Sequence, residues 1–114
     1  MMKFDREMVK GYLPVMVMAV LERESLHGYA LCARLKEASS GALRPGEGTI
    51  YPLLYRLERQ GMIKGRWTTS PSGRERKVYS LTKKGRKRLA QQKGELREMF
   101  TLLGNIFTEG WIKA

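Results

Sequence analysis

The 114-residue chain contains a single cysteine, a single histidine and half as many acidic as basic side chains. The lone Cys32 rules out an internal disulfide and fits a reducing compartment. At its position on an apolar helical stripe it reads as a small buried hydrophobe. A redox role would instead need an exposed thiolate near cations. With His27 the only imidazole, a metal site would have to be completed by carboxylates or by a second chain, so a structural role at a helix entry is the simpler reading. Long apolar runs are also missing. The longest, Tyr12 to Leu21, is about half of the roughly 20 residues a bilayer span requires, and it reads as a core helix. Lys3, Asp5, Arg6, Glu7 and Lys10 break up the first ten residues, so no secretory leader is expected and the protein is expected in the cytosol, with no membrane partner.

Catalytic patterns are absent as well. No HExxH, CxxC, GxSxG or Walker sequence occurs, and the acidic residues are too scattered to nominate a carboxylate pair. The glycines and proline between Gly41 and Gly48 suggest a phosphate loop but lack its Gly-Lys-Ser/Thr ending, so they form a turn. Neither an enzyme nor a cofactor is expected.

What the chain does have is positive charge, a formal +11. Such an excess points to a polyanion, either nucleic acid or an anionic membrane surface. Most of it is local, because residues 64 to 88 carry ten basic side chains and one acidic. Just before them lies the stretch Glu47 to Gln60, whose Ile50, Leu53, Leu54 and Leu57 fall at i, i+3, i+4 and i+7 and share one face of a helix. The other face carries Pro52, Tyr55, Arg56 and Arg59, with Tyr51 and Glu58 at its margin. Arginine can pair with guanine edges or phosphates and tyrosine can donate to either, so this face suits a DNA groove. The competing reading is an ordinary amphipathic helix with a solvated charged face.

The surrounding elements can be read in order. Leu13, Met16, Val17, Val20 and Leu21 define a first helix with Pro14 in its first turn. Upstream, Phe4, Met8 and Tyr12 lie on one side of an arm that either packs on a partner or stays loosely ordered. After a short connection from Arg23 to His27, Gly28 opens a second helix to about Ser39, with Leu31, Cys32, Leu35 and Ala38 inward. Thr49 is the expected N-cap of the third helix, with Pro52 in its first turn, and Gly61 its C′ residue.

Met62 to Thr69 and Arg76 to Leu81 then read as strands joined by a turn at Ser70-Pro71-Ser72-Gly73, with Tyr79 and Leu81 on one face. Arg74, Arg76 and Lys77 at or beside the tip of such a wing would reach phosphates or the minor groove, unless the charge merely protects a sheet edge from aggregation. Thr82 is the expected N-cap of a long last helix, whose first turns hold Lys83, Lys84, Arg86, Lys87 and Arg88. Cations there oppose the helix macrodipole, and an external anion would resolve the conflict. Farther along, Leu89, Leu96 and Leu103 recur every seven residues, as do Met99 with Ile106 and Phe100 with Phe107. That seam suggests pairing with a second copy, and Gly94 and Gly104 suggest close approach of a neighbour or a bend.

Three ordered motifs together resemble the PadR-like family of transcriptional regulators. Leu26-His27-Gly28-Tyr29-Ala30-Leu31 resembles the family's entry to its second helix, and Glu47 to Glu58 resembles its recognition helix. Gly73 to Gly85 resembles its wing and the start of its last helix. The resemblance implies a fold of α+β class, mostly α: a winged helix-turn-helix over residues 1–82, with an N-terminal arm over 1–11, and a C-terminal dimerisation helix over 83–114 in the same compact unit. It further implies a dimeric repressor of double-stranded DNA, joined through the last helix with help from the N-terminal segment.

Carried over by position, Thr49, Tyr51 and Tyr55 face DNA on the recognition helix, and Arg74, Arg76 and Lys77 on the wing. Arg56 and Arg59 join them from the helical pattern, while Leu89, Leu96, Met99, Phe100, Leu103, Ile106 and Phe107 form the dimer seam. Some short-tailed relatives bind flat aromatic compounds between tryptophans of their paired last helices. Here the middle of that helix offers Leu96, Met99 and Phe100 instead, with Trp111 near the chain end. The seam therefore either holds a small-molecule effector or serves as a plain coiled-coil-like interface. A winged-helix module binding structured RNA or protein without reading sequence is the alternative to a repressor.

Overall fold

A computed structural model of the chain describes residues 5–113, with side chains described from 5 to 108. The elements run α1 (Arg6–Arg23), β1 (Leu26–His27), α2 (Gly28–Ala38), α3 (Glu47–Arg59), β2 (Ile63–Thr69), β3 (Glu75–Leu81) and α4 (Lys83–Lys113). The strands form one antiparallel sheet in the order β1-β3-β2. The result is a winged helix-turn-helix of α+β class, mostly helical, carrying a long C-terminal helix. None of its described helices is long and apolar enough to cross a membrane.

One core unites these parts. Val17 from α1, Leu31 from α2, Ile50 and Leu54 from α3, and Leu89 from α4 have no exposed surface at all, and Ile63, Tyr79 and Leu81 close the core from the sheet. The stripes on α1 and α3 are where their spacing places them, with Met18 an additional buried residue on α1. Ala38, expected inward, is exposed because it lies in the last turn of α2, beyond the reach of the core. Leu89 also departs from expectation. Its heptad spacing places it in a seam between chains, but it is buried within its own domain, where the start of α4 packs back over α1, so the exposed apolar face of α4 begins beyond it.

From Arg6 onward the N-terminal arm is helical and continuous with α1. Asp5 caps it, its Oδ1 accepting from the backbone N–H of Glu7 at 2.8 Å and of Met8 at 3.2 Å. Pro14 is therefore well inside the helix rather than in its first turn. It removes the bond to the carbonyl of Lys10, an exposed residue whose carbonyl solvent can serve. Met8 and Tyr12 of the arm lie within α1, whereas Phe4 and the side chain of Trp111 lie outside what is described. The connection before α2 holds an unexpected element: Leu26 and His27 pair with Tyr79 and Val78 as a third strand. Two residues are too few to show an alternating pattern, so nothing in the sequence marks it.

Two junctions position the wing. Gly61 ends α3 as its C′ residue at φ 77°, with the N–H of Met62 on the carbonyl of Leu57 and that of Gly61 on the carbonyl of Glu58, both at 3.0 Å. Thr82 then caps α4 as expected. Its Oγ1 accepts from the N–H of Gly85 at 3.0 Å and faces the carbonyl oxygens of Gly61 and Met62 at 2.6 and 3.0 Å. Farther along, Lys93 Nζ meets Glu22 Oε1 at 2.9 Å and ties α4 to α1, a hydrogen bond that also lowers the carboxyl's pKa.

Gly85 sits so close beneath this crossing that a Cβ on it would run into the carbonyl of Met62 and the side chain of Leu81. The obstruction includes backbone, which cannot swing aside. Gly85→Ala should therefore cost about 1–3 kcal/mol in chemical denaturation. Gly11→Ala, on an exposed part of α1 with nothing within 4 Å, should instead add up to about 1 kcal/mol. Equal effects at the two sites would show that the α4 crossing is looser than described.

Candidate nucleic-acid interface

The burial of Ile50, Leu53, Leu54 and Leu57 leaves the opposite face of α3 open. Thr49, Pro52, Tyr55, Arg56 and Arg59 are all exposed on it, with Tyr55 at 54%. Thr49 is not the N-cap, however. Gly46 is, since its carbonyl accepts from the N–H of Ile50 at 2.9 Å, so the helix opens earlier and Pro52 lies beyond the first turn. The threonine hydroxyl is thereby released from capping and left on the open face.

Tyr51 is placed differently from its neighbours. Its ring is partly buried against the core, and a Cβ on Gly28 would come within 2.7 Å of its hydroxyl oxygen. Gly28 thus leaves room for Tyr51 where α2 starts beside α3. Burial raises the pKa of the phenol, with Glu47 adding to the shift.

Lys77 is also not where the wing reading puts it. Its ammonium bonds Glu58 Oε1 of α3 at 2.8 Å, and the other carboxylate oxygen accepts from the N–H of Gly65 at 3.1 Å. One glutamate therefore joins α3 to both wing strands, and Lys77 is a strut at the base of the wing. The tip is left to Arg74 and Arg76, both exposed, on a turn closed by Ser70 N–H to the Arg74 carbonyl at 2.7 Å. Lys84 likewise finds an internal partner in the C-terminal carbonyl of α3, Gln60 O, at 2.8 Å. A helix C-terminus offers partial negative charge, so part of the conflict at the start of α4 is resolved within the fold. Lys83, Arg86, Lys87 and Arg88 remain exposed.

Several aromatic residues that the sequence did not single out adjoin this surface. Trp67 on β2 is 68% exposed and Tyr29 at the start of α2 is 80% exposed, its ring stacked on His27 at 6.4 Å. A cleft of about 300 Å³ between α3 and the wing brings together Trp67, Tyr55, Tyr51, His27 and Arg76. Burial, and then Arg76, lowers the pKa of His27. The available signal for Trp67 was its place in the strand, two residues beyond Gly65 on the face that continues the core. Cys32 is half-buried and its thiol is pushed up by burial and then by Glu47, the reverse of what a reactive thiolate needs. Among the described residues no group of side chains could hold a metal ion.

A helix-turn-helix with an outward basic helix and a cationic hairpin beside it defines a winged-helix nucleic-acid binder. The model of the transcriptional regulator PadR-like family matches residues 17–91, and the chain belongs to that family. It is similar to a PadR-like transcription factor from Bacteroides fragilis, 34% identical, the match covering 88% of this chain and 94% of that one at a TM-score of 0.76. A PadR-like transcriptional regulator from Bacillus cereus is 31% identical over 89% of this chain and 96% of its own, with a TM-score of 0.77. The transcriptional regulator YqjI of Escherichia coli is 28% identical over 86 residues, which are 75% of this chain but only 40% of that protein. Membership places the chain among transcriptional regulators rather than enzymes.

The Glu58 bridge has a pH signature. The hydrogen bond from Lys77 lowers the pKa of the Glu58 carboxyl below its ordinary 4.5, so the bridge contributes in full above that pH and is lost as pH falls through the folded-state value. The Lys77 ammonium is raised above 10.5 by the same bond, and its share is lost only as pH climbs past the raised value. Glu58→Gln should thus cost about 1 kcal/mol at neutral pH, with the gap between wild type and variant closing in denaturation curves as pH falls below the carboxyl's ordinary range. A gap unchanged with pH would show that the carboxylate charge is not what holds the wing.

Proposed function

We propose that the protein is a dimeric, sequence-specific DNA-binding repressor. The observation that carries this reading is the outer face of α3, where Thr49, Tyr55, Arg56 and Arg59 stand exposed on a helix that the core prevents from turning. Set in a major groove, that face offers arginine forks for guanine or phosphate and a tyrosine hydroxyl for either. Arg74 and Arg76 on the wing supply sequence-independent phosphate or minor-groove contacts. Tyr51 supports the helix from its margin and Lys77 holds the wing in place.

Pairing would use the outer part of α4. Met99, Phe100, Ile106 and Phe107 are 47–61% exposed there, with Leu96 and Leu103 half-buried beside them. So much exposed apolar surface along one helix is unfavourable in a lone chain and favours a second copy. Two reading heads related by such a pairing call for a pseudo-palindromic operator with half-sites about 34 Å apart. The same seam is where a small-molecule effector would lodge.

Selection of bound fragments from genomic DNA would supply the operator. On it, Arg56→Ala or Tyr55→Ala should cost about 1–3 kcal/mol of binding while hardly changing affinity for a scrambled duplex. Equal losses on both would move these side chains to the phosphates and favour a module that binds without reading sequence. For the pairing, Phe100→Asp should give folded monomers in sedimentation and abolish tight operator binding, because Phe100 is exposed and stands outside the core formed by the described residues. A dimer that survives the substitution would exclude this seam.

A further inference from the structure

Beyond the helix and the wing tip, the cleft between them holds an aromatic surface with no partner among the described residues. Trp67 pairs across the hairpin with Lys77, and directly opposed residues of antiparallel strands project from the same face. That face also carries Tyr79 and Leu81, both buried, and Lys77, which reaches α3 through Glu58. Trp67 therefore continues the α3-facing side of the sheet past the last internal contact, and it is 68% exposed there. Tyr55 lines the cleft from α3, and Arg76 adds a cation. Glu75 is the one carboxylate in its lining.

An indole held open to water beside a cationic wing is a contact surface waiting for an amphipathic partner that is apolar in its body and anionic at its edge. Duplex DNA presents that combination at the height of this cleft. With α3 in the major groove and the wing over the adjacent minor groove, the strand dividing the two grooves must run between them. We propose that the cleft seats one deoxyribose-phosphate of that strand, with the indole of Trp67 packed on the sugar and Arg76 paired with the phosphate. This rests on the DNA-binding reading above and assigns Trp67 to affinity rather than to sequence readout.

The test uses the full-length chain carrying Trp111→Phe, which leaves Trp67 as its only indole. Binding is followed twice, by the anisotropy of a labelled duplex and by Trp67 emission with acrylamide quenching. Operator and scrambled duplexes should both shield Trp67 from acrylamide. Trp67→Ala should weaken both by a similar factor, roughly tenfold, and Trp67→Phe should recover part of the loss. Replacing single phosphates by uncharged methylphosphonates should identify one position per half-site whose neutralisation matters in the parent and no longer matters in Arg76→Ala.

Unchanged affinity in a Trp67→Ala protein that melts normally would overturn the proposal, as would an indole still open to acrylamide in the bound state. Both results leave the DNA-binding reading standing. A loss confined to the operator would make Trp67 a base reader and overturn the sugar-phosphate assignment. If the parent bound no duplex at all, the broader reading would fail and this proposal with it.

Discussion

Everything on the open face of α3 depends on the burial of four aliphatic side chains behind it. Ile50, Leu53, Leu54 and Leu57 each retain 5% exposure or less, and full burial of such a side chain is worth roughly 1.5–3 kcal/mol. The gain fixes more than stability. Because the four occupy a single stripe, rolling the helix by one residue would expose at least part of it, so the angle about the helix axis is set by the core. The outward direction of Tyr55, Arg56 and Arg59 follows from the apolar residues behind them.

Polar contacts do a different job in this fold. Glu58 joins α3 to β2 and β3, Thr82 joins the end of α3 to the start of α4, and Lys93 joins α4 to α1. Each lies partly open to solvent and contributes modestly to stability. Their directionality makes them useful at seams, because apolar packing tolerates sliding whereas a two-oxygen carboxylate or a capping hydroxyl admits one arrangement. Helix, wing and long tail are thus held in mutual register by a few side chains. Two of them, Glu58 and Lys77, come from segments that charge alone would assign to solvent or ligand.

That contrast explains what was legible in the sequence. Elements with several periodic apolar residues, such as α1 and α3, were readable because periodicity reports which face is buried. The wing was readable from its turn residues, and Gly61 and Thr82 from the chemistry of helix ends. What escaped was decided by tertiary neighbours. Leu89 fits a heptad with Leu96 and Leu103, yet it belongs to the core, since periodicity cannot tell an intrachain partner from an interchain one. Lys77 looks like Arg76 in a row of cations, but strand alternation turns it toward Glu58. The pair β1 is too short to carry a pattern, and Pro14 lies deep in α1 because an aspartate nine positions before it captured the helix start. Trp67 carries no such mark, because an aromatic in a strand is ordinarily core.

The length of α4 brings a mechanical consequence. Among the described residues it is anchored to the winged-helix unit near its start, by Thr82, Gly85, Leu89 and Lys93, and it helps stretch the molecule to 63 Å along its longest axis. From Lys93, the last of these anchors, to Phe107 the helix rises about 21 Å. Over such an arm a tilt of about 5° displaces the far end by roughly 2 Å, about a third of the rise of a helical turn. The helix is therefore a pointer whose pivot is a glycine pressed against a carbonyl. Small changes of angle at that pivot are magnified into changes of spacing at its other end.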